Sequence, residues 1–457
     1  MLLRSRRTHL LLRIAAIVVL LLGGALALAA TQPRAVRTGA PNVLVISVDT
    51  LRADRMSGYG YGRPTTPAAD RLMARGARFD QARTVEPLTN PAFSSMVTSL
   101  YPHEHGATRN GLRMRPRLGS FTKQLDRRGY MTAAFVANWT LKDRISGLGE
   151  HFDHYDEVLT RKRWWGLFAE EARAEDVNEV VFDWLDDHAG RRRPFAAWVH
   201  YVEPHAPYRL QDDVADRLGL GGDVDKSDRY DSEVAYADLH VGKLVEYVEK
   251  NPALARNTLI VFTSDHGESL GEHDYWGHGR HLYEPGLHIP MVFYWPGRIA
   301  PRQISTPASN LDLGPTILGL LGVEPPQEFR GYDWSGVLLG RASPPKDRTT
   351  WFQAHKGAVL NPQEARSARR DGLLELARVQ GNTKEIVQVN RREHYLFDLR
   401  RDPRELRNLN GTAYQPSDDL SAWLSSVLTA LENEDDAPGV DLSGEDVEKL
   451  KALGYID

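Results

Sequence analysis

The stretch NVLVISVDT, residues 42–50, decides the architecture. From Asn42 to Val48 it is short, almost unbroken in apolar character and rich in Val and Ile. A run of that kind suits a strand covered on both faces, as in the interior of a mostly parallel sheet. It ends abruptly on Asp49, so a carboxylate stands just past a buried strand. Strand-like apolar runs recur at Thr132–Val136, Phe195–Val202, Thr258–Thr263 and Pro290–Tyr294. Helical patterns lie between them at Pro67–Arg75, Leu118–Arg128 and Tyr230–Lys250, the last long and amphipathic. Strands alternating with helices predict an α/β sandwich, a large mostly parallel central sheet flanked by helices. In such a fold functional side chains gather on loops at the carboxyl ends of the strands.

Farther out, the composition shifts near Pro344–Lys346. Residues 41–345 therefore form the expected main domain. Residues 346–457 form a smaller C-terminal subdomain and tail, with charged strand-like runs over Thr349–Asn410 suited to an antiparallel sheet and a helical pattern at Asp418–Leu431. A chain of 457 residues has room for both. Its net charge of −4 offers no electrostatic footprint for nucleic acid. With no cysteine, disulfides, zinc–thiolate sites, thiol catalysis and any cofactor made by modifying cysteine are excluded. At the N-terminus, Arg4, Arg6, Arg7 and Arg13 precede an apolar run from Ile14 to Ala30. Residues 1–30 thus form a secretory signal or a single-span membrane anchor, the run being close to the ~20 residues that span a bilayer. Residues 31–40 are a polar linker. Either form places the body outside the cytoplasm, in the periplasm, in the medium or on the outer face of the membrane. Oligomeric state leaves no mark in the pattern.

Four constellations carry chemistry. Asp49 at its strand end suits a hard cation, and equally an N-cap or turn. Thr89, followed by Pro91, marks a helix start. Free N–H groups and the dipole there favour an anion, and a hydroxyl so placed could attack a phosphoryl or sulfuryl centre; a plain N-cap would look the same. In TSDHGE, residues 263–268, adjacent Asp265 and His266 can face one metal, and the segment runs on through Glu272, His273 and Asp274 to His278. HYVEPHAPY, residues 200–208, brings His200, Glu203 and His205, suited to an oxyanion or a second metal. Together they predict one site in which a metal polarises an ester and lowers the pKa of a nucleophile.

In this order the motifs resemble the sulfatase family of the alkaline phosphatase superfamily. The marks are NVLVISVDTLRADRMSGYGY, TNPAFSSMVTSLYPHEHG, EPHAPY, TSDHGESLGEHDYWGHG, HIPMVFYWPG and LDLGPTILGLLG, followed by YLFDLRRDPRELRNL and the terminal LKALGYID. The resemblance implies a sulfatase-like fold, with a catalytic domain over 41–345. It implies that Asp49, Asp265 and His266 bind a divalent metal, with Thr89 in the nucleophile position and also touching it. His205 matches a histidine that binds the transferred group. His278 falls where many sulfatases have lysine and related phosphate enzymes have histidine. Asn110 fits a substrate-binding asparagine by spacing.

Departures from the family pattern narrow the chemistry. Sulfatases mature the first residue of a C/S-x-P-x-R motif to formylglycine. Here the five residues are Thr89, Asn90, Pro91, Ala92 and Phe93, so no formylglycine forms and the arginine is absent. A second aspartate often follows the first; here it is Thr50. One metal is expected, zinc or manganese favoured by the lower charge and the histidine ligand, calcium or magnesium being alternatives. A second metal held by His278, His205 and Glu203 is the competing arrangement. The expected substrate is a small-molecule, saccharide-linked or lipid-linked ester of phosphate, phosphonate or sulfate. Envelope phosphoethanolamine or phosphoglycerol transferases are the rival enzyme class, and a catalytically degenerate binding protein is the other. Trp164, Trp165 and Phe168 suit either an apolar or sugar-stacking wall of the leaving-group pocket or ordinary packing.

Overall fold

Every residue of β1 (Asn42–Val48) is buried. Leu44, Ile46 and Val48 join one hydrophobic cluster while Val43 and Val45 join another. A strand alternates its side chains between two faces, so this run is apolar throughout because both faces are covered. The structure, a computed structural model, describes residues 39–163, 168–359, 371–411, 413–432, 440 and 442–452. The apolar run Ile14–Ala30, Trp164, Trp165 and most of the acidic Glu432–Pro438 stretch lie outside the described residues. No helix among the described residues is long and apolar enough to cross a membrane.

Eight strands form the central sheet. After β1 come β2 (Ala77–Phe79), β3 (Met131–Val136), β4 (His154–Glu157), β5 (Phe195–Tyr201), β6 (Thr258–Ser264), β7 (Met291–Tyr294) and β8 (Arg302–Ile304). Their spatial order is β8-β2-β7-β6-β1-β5-β3-β4. Within this sheet β7 alone runs against the others. On the Leu44 face pack α1 (Pro67–Arg75), α4 (Ala174–His188) and α5 (Lys226–Lys250). On the Val43 face pack α2 (Thr89–Thr98), α3 (Phe121–Arg127) and α6 (Leu313–Leu320).

Where the elements differ from expectation, caps explain the difference. The helix expected over Leu118–Arg128 starts at Phe121, because the Ser120 hydroxyl accepts from Lys123 N at 3.1 Å. The long helix starts at Lys226 rather than Tyr230. There Asp225 accepts from Asp228 N at 2.8 Å and Asp228 accepts in return from Asp225 N at 3.2 Å, a capping box ahead of the apolar stripe. The α4 helix was not anticipated, although Val177, Val181, Trp184 and Leu185 recur at helical spacing and are all buried.

After residue 345 a four-stranded antiparallel sheet follows, β9 (Thr349–His355), β10 (Leu373–Gln380), β11 (Thr383–Gln388) and β12 (Glu393–Asp398), paired in chain order. Helix α7 (Asp418–Glu432) covers one face through Leu420, Val427 and Leu431. On the other face Phe352, Ala377, Val379, Ile386 and Phe397 pack with Leu282 and Leu287, which belong to the segment before β7.

Candidate active site

Register brings the acidic residues together. Val48 pairs with both Tyr201 and Ser264, so Asp49 and Asp265 leave neighbouring strands at the same height. Thr50 then adopts a left-handed φ of 52°, and its N–H donates to Asp265 Oδ1 at 3.2 Å. His266 N donates to the same oxygen at 2.8 Å. On Asp49 it is Oδ2 that is engaged, by Asn138 Nδ2 at 2.5 Å and His200 Nε2 at 3.3 Å. That leaves Asp49 Oδ1 and Asp265 Oδ2, both buried and both without a hydrogen-bond partner.

His266 faces those two oxygens. Its Nδ1–H donates to the Gly267 carbonyl at 2.8 Å, which leaves the Nε2 lone pair bare on the inner side. Nε2 lies 3.4 Å from Asp265 Oδ2, 3.9 Å from Asp49 Oδ1 and 3.2 Å from Thr89 Oγ1. Thr89 opens α2 as its first helical residue, with Leu88 at the cap, and its hydroxyl lies within hydrogen-bond reach of His266. Two carboxylate oxygens, an imidazole nitrogen and a hydroxyl oxygen thus converge. Orphaned carboxylate oxygens at full burial are costly unless a cation meets them, so the donor set fits a divalent metal.

The electrostatics point the same way. Burial works against the Asp49 carboxylate, but the His200 hydrogen bond and the nearby imidazoles hold its pKa well below the ordinary value. Burial and the Asp49 charge push Asp265 well above it. His266 falls to about 3, through burial and then the His278 charge, so it stands neutral and able to bind a metal.

His200 was expected only as one of several loop histidines, and the structure places it inside β5. Asp49, His200 and Asp265 each bring a ligand atom within 4.8 Å of the others. The hydrogen bonds give His200 a different place. Trp198 Nε1 donates to Ser47 Oγ at 2.8 Å, which frees the Ser47 hydroxyl proton for His200 Nδ1, also at 2.8 Å. Nε2 then carries the proton and donates it to Asp49 Oδ2, so His200 orients Asp49 from behind. Phe93, where the family motif has arginine, is fully buried and packs 4.3 Å from the Trp198 ring centroid and 5.4 Å from that of His200.

The remaining candidates surround this group. The His278 ring centroid is 4.5 Å from that of His266 and 5.2 Å from that of His205. His205 Nδ1 donates to the Ala206 carbonyl at 2.7 Å. Asn110 is fully buried; its Oδ1 accepts from Asn90 N at 3.2 Å at the start of α2, and its Nδ2 has no partner. Thr50 Oγ1 is likewise buried and without a partner. Glu268 was missed by sequence reasoning. It is fully buried and accepts from His278 Nδ1 at 3.0 Å and from the Tyr208 hydroxyl at 2.8 Å. Burial opposes it, yet the His278 charge holds the Glu268 pKa below the ordinary value, and Glu268 in turn lifts that of His278 against its own burial. The available signal was its adjacency to Asp265-His266-Gly267.

Known proteins share this family and fold. The family model described as Sulfatase matches residues 41–323. A second, described as N-sulphoglucosamine sulphohydrolase, C-terminal, matches residues 271–434. The chain is 25% identical to the N-acetylglucosamine-6-O-sulfatase of Bacteroides thetaiotaomicron, over 84% of this chain and 85% of that protein. It is 26% identical to the choline-sulfatase of Rhizobium meliloti, over 83% and 84%. Among solved structures, the phosphonate monoester hydrolase of Agrobacterium radiobacter superposes with a TM-score of 0.64 at 20% identity, over 86% of this chain and 95% of that one.

Proposed function

The chain belongs to the sulfatase family, as an ester hydrolase, and from that premise we propose that it cleaves a phosphate or phosphonate ester through Thr89 with a divalent metal, outside the cytoplasm. The observation that carries this reading is Thr89 Oγ1, 3.2 Å from His266 Nε2, the nitrogen that also faces the unpartnered oxygens of Asp49 and Asp265. Asp49, Asp265, His266 and Thr89 would hold the metal, zinc or manganese before calcium or magnesium. When bound, it supplies charge that lowers the hydroxyl pKa and stabilises the transferred group's oxygens.

The chain's own residues supply the rest. Thr89 Oγ, its proton passing to solvent water, forms a bond to phosphorus in line as the bond to the leaving oxygen breaks. The start of α2 favours the anionic group. His205 and His278 flank that group, and His278, oriented by Glu268 through Nδ1, passes a proton from Nε2 to the leaving oxygen. Water then attacks phosphorus and gives a proton to the now neutral His278, the Thr89 Oγ–phosphorus bond breaks, phosphate or phosphonate leaves, and Thr89 Oγ takes a proton back from solvent. A sulfated formylglycine hydrate collapses by expelling sulfate without attack at sulfur. A sulfated threonine lacks that route, whereas phosphothreonine opens by attack at phosphorus. Sulfate esters are the second reading, favoured by the names of the relatives, whose substrates include saccharide sulfates.

The test is a side-by-side assay of aryl phosphate mono- and diesters, aryl phosphonates and aryl sulfates. Thr89→Ala is expected to lower kcat/KM for the phosphorus esters at least about a thousandfold, the scale of losing a nucleophile. Robust sulfatase activity that survives Thr89→Ala would refute the reading. Export is tested separately, by cell fractionation and the N-terminal mass of the mature chain.

A further inference from the structure

Two more carboxylates sit close to the site without belonging to it. Glu203 follows β5, two residues before His205, and Glu233 lies on α5. They are 7% and 4% exposed. Both line one small cavity of about 80 Å³, together with His205 and Gln211.

Each carboxylate is satisfied on one oxygen. Glu203 Oε1 accepts from Ala174 N at 3.2 Å. Glu233 Oε1 accepts from Arg209 N at 3.0 Å and from Gln211 Nε2 at 3.2 Å. Oε2 of Glu203 and Oε2 of Glu233 are both buried and have no hydrogen-bond partner. The nearby guanidinium groups do not fill the gap. Arg173 reaches only the already engaged Glu203 Oε1, at 4.0 Å, lies 4.4 Å over the Tyr236 ring and bonds to Gln211. Arg209 is exposed and contributes its backbone N–H.

Two buried, unpartnered carboxylate oxygens beside one cavity need either a positive charge or added protons. Burial raises Glu203 to about 7, and burial with the Glu203 charge raises Glu233 to about 8, so near neutral pH each carboxyl is poised to lose its proton once a cation is offered. The two unpartnered donors, Glu203 Oε2 and Glu233 Oε2, are both oxygens, which suits a hard ion. The cavity has room for an ion that keeps water in its coordination shell. We propose that Glu203 and Glu233 form a second cation site, for Ca²⁺ or Mg²⁺, separate from the Asp49–Asp265 group. An ion there ties the loop that carries His205 and Tyr208 to α5. The proposal does not depend on Thr89 being the nucleophile.

The test uses the full chain purified without chelator, retaining any tightly held metal. Calcium chloride, then magnesium chloride, is titrated in by calorimetry at pH 8, with melting temperature followed in parallel. One further equivalent and a rise of several degrees are expected in wild type. The same is expected in Asp265→Asn, which impairs the other group. Glu203→Gln and Glu233→Gln, each checked for a native circular dichroism spectrum, should each weaken binding at least tenfold and abolish the rise. Unchanged binding in both Gln variants overturns the proposal. So does a wild-type protein that takes up neither ion at pH 8, the behaviour of a carboxyl pair held by protons alone.

Discussion

Glu268 holds two side chains from separate loops at once, the His278 imidazole and the Tyr208 hydroxyl. With its Nδ1 proton committed, His278 keeps one ring orientation, and in the proposed mechanism Glu268 thereby sets the edge that His278 presents to the leaving group. Glu268→Gln keeps the shape and weakens that hold. Steady-state kinetics should show kcat down about tenfold or more with KM little changed, the usual cost of losing a carboxylate behind a functional histidine; a proportional rise in KM alone would refute the orienting role. The metal content should stay at the wild-type level by elemental analysis, since Glu268 contributes no atom to the Asp49–Asp265–His266 group. At the nucleophile position, Thr89→Ser should keep measurable turnover where Thr89→Ala does not, because the hydroxyl is retained; stopped assays on one phosphate diester are enough to tell them apart. Of this site, Asp49, Asp265 and His266 were legible because each follows an apolar strand. Asn138 and His200 were not, because their importance lies in bonds to Asp49, 89 and 151 residues away in sequence.

Helices α1 and α5 meet through a carboxylate. Asp238, buried on α5, accepts from Ala68 N and Ala69 N at the start of α1, both at 2.8 Å, and so caps a helix from another element. Burial raises its pKa from 3.8 to about 7 in spite of those donors. Because the folded value exceeds the unfolded one, this contribution to stability is fully present below about pH 4 and is lost as the pH rises through about 7. The melting temperature of wild type relative to Asp238→Asn should therefore fall across that window, the Asn variant lacking this titration. A difference that stays constant from pH 4 to 7 would show that Asp238 is not held protonated by its surroundings. Pro67–Arg75 matches the helix read from the sequence, yet nothing local announces its cap. Thr66, the residue at the cap position, makes no capping bond with its side chain.

Across the whole molecule, the sheet of β9–β12 is joined to the preceding residues by shared core and buried charge. Lys384 on β11 is fully buried and contacts Glu284 at 2.9 Å and Glu405 at 2.7 Å, while Arg83 reaches Glu284 at 2.9 Å. Lys384→Met strands the buried Glu405 carboxylate, while Glu284 keeps Arg83, and should destabilise the chain by about 3 kcal/mol, measured by denaturant unfolding. With Leu282 and Leu287 packed against Phe352 and Phe397, calorimetry should find one cooperative transition for wild type rather than two. The sequence by itself determined the α/β class, the parallel character of the central strands, the antiparallel sheet after residue 345 and the absence of any cysteine chemistry. These follow from periodicity and composition, which act locally along the chain. Tertiary structure alone decided that Asp49, Thr89 and Asp265 gather round the His266 Nε2, that Phe93 fills core where the family motif has arginine, and that Glu203 and Glu233 line one cavity. Those outcomes depend on strand register and on how helices seat against the sheet, and no local pattern encodes them. The apolar strand NVLVISV could be read for its burial, but the two oxygens left bare beyond it appear only once its neighbours are in place.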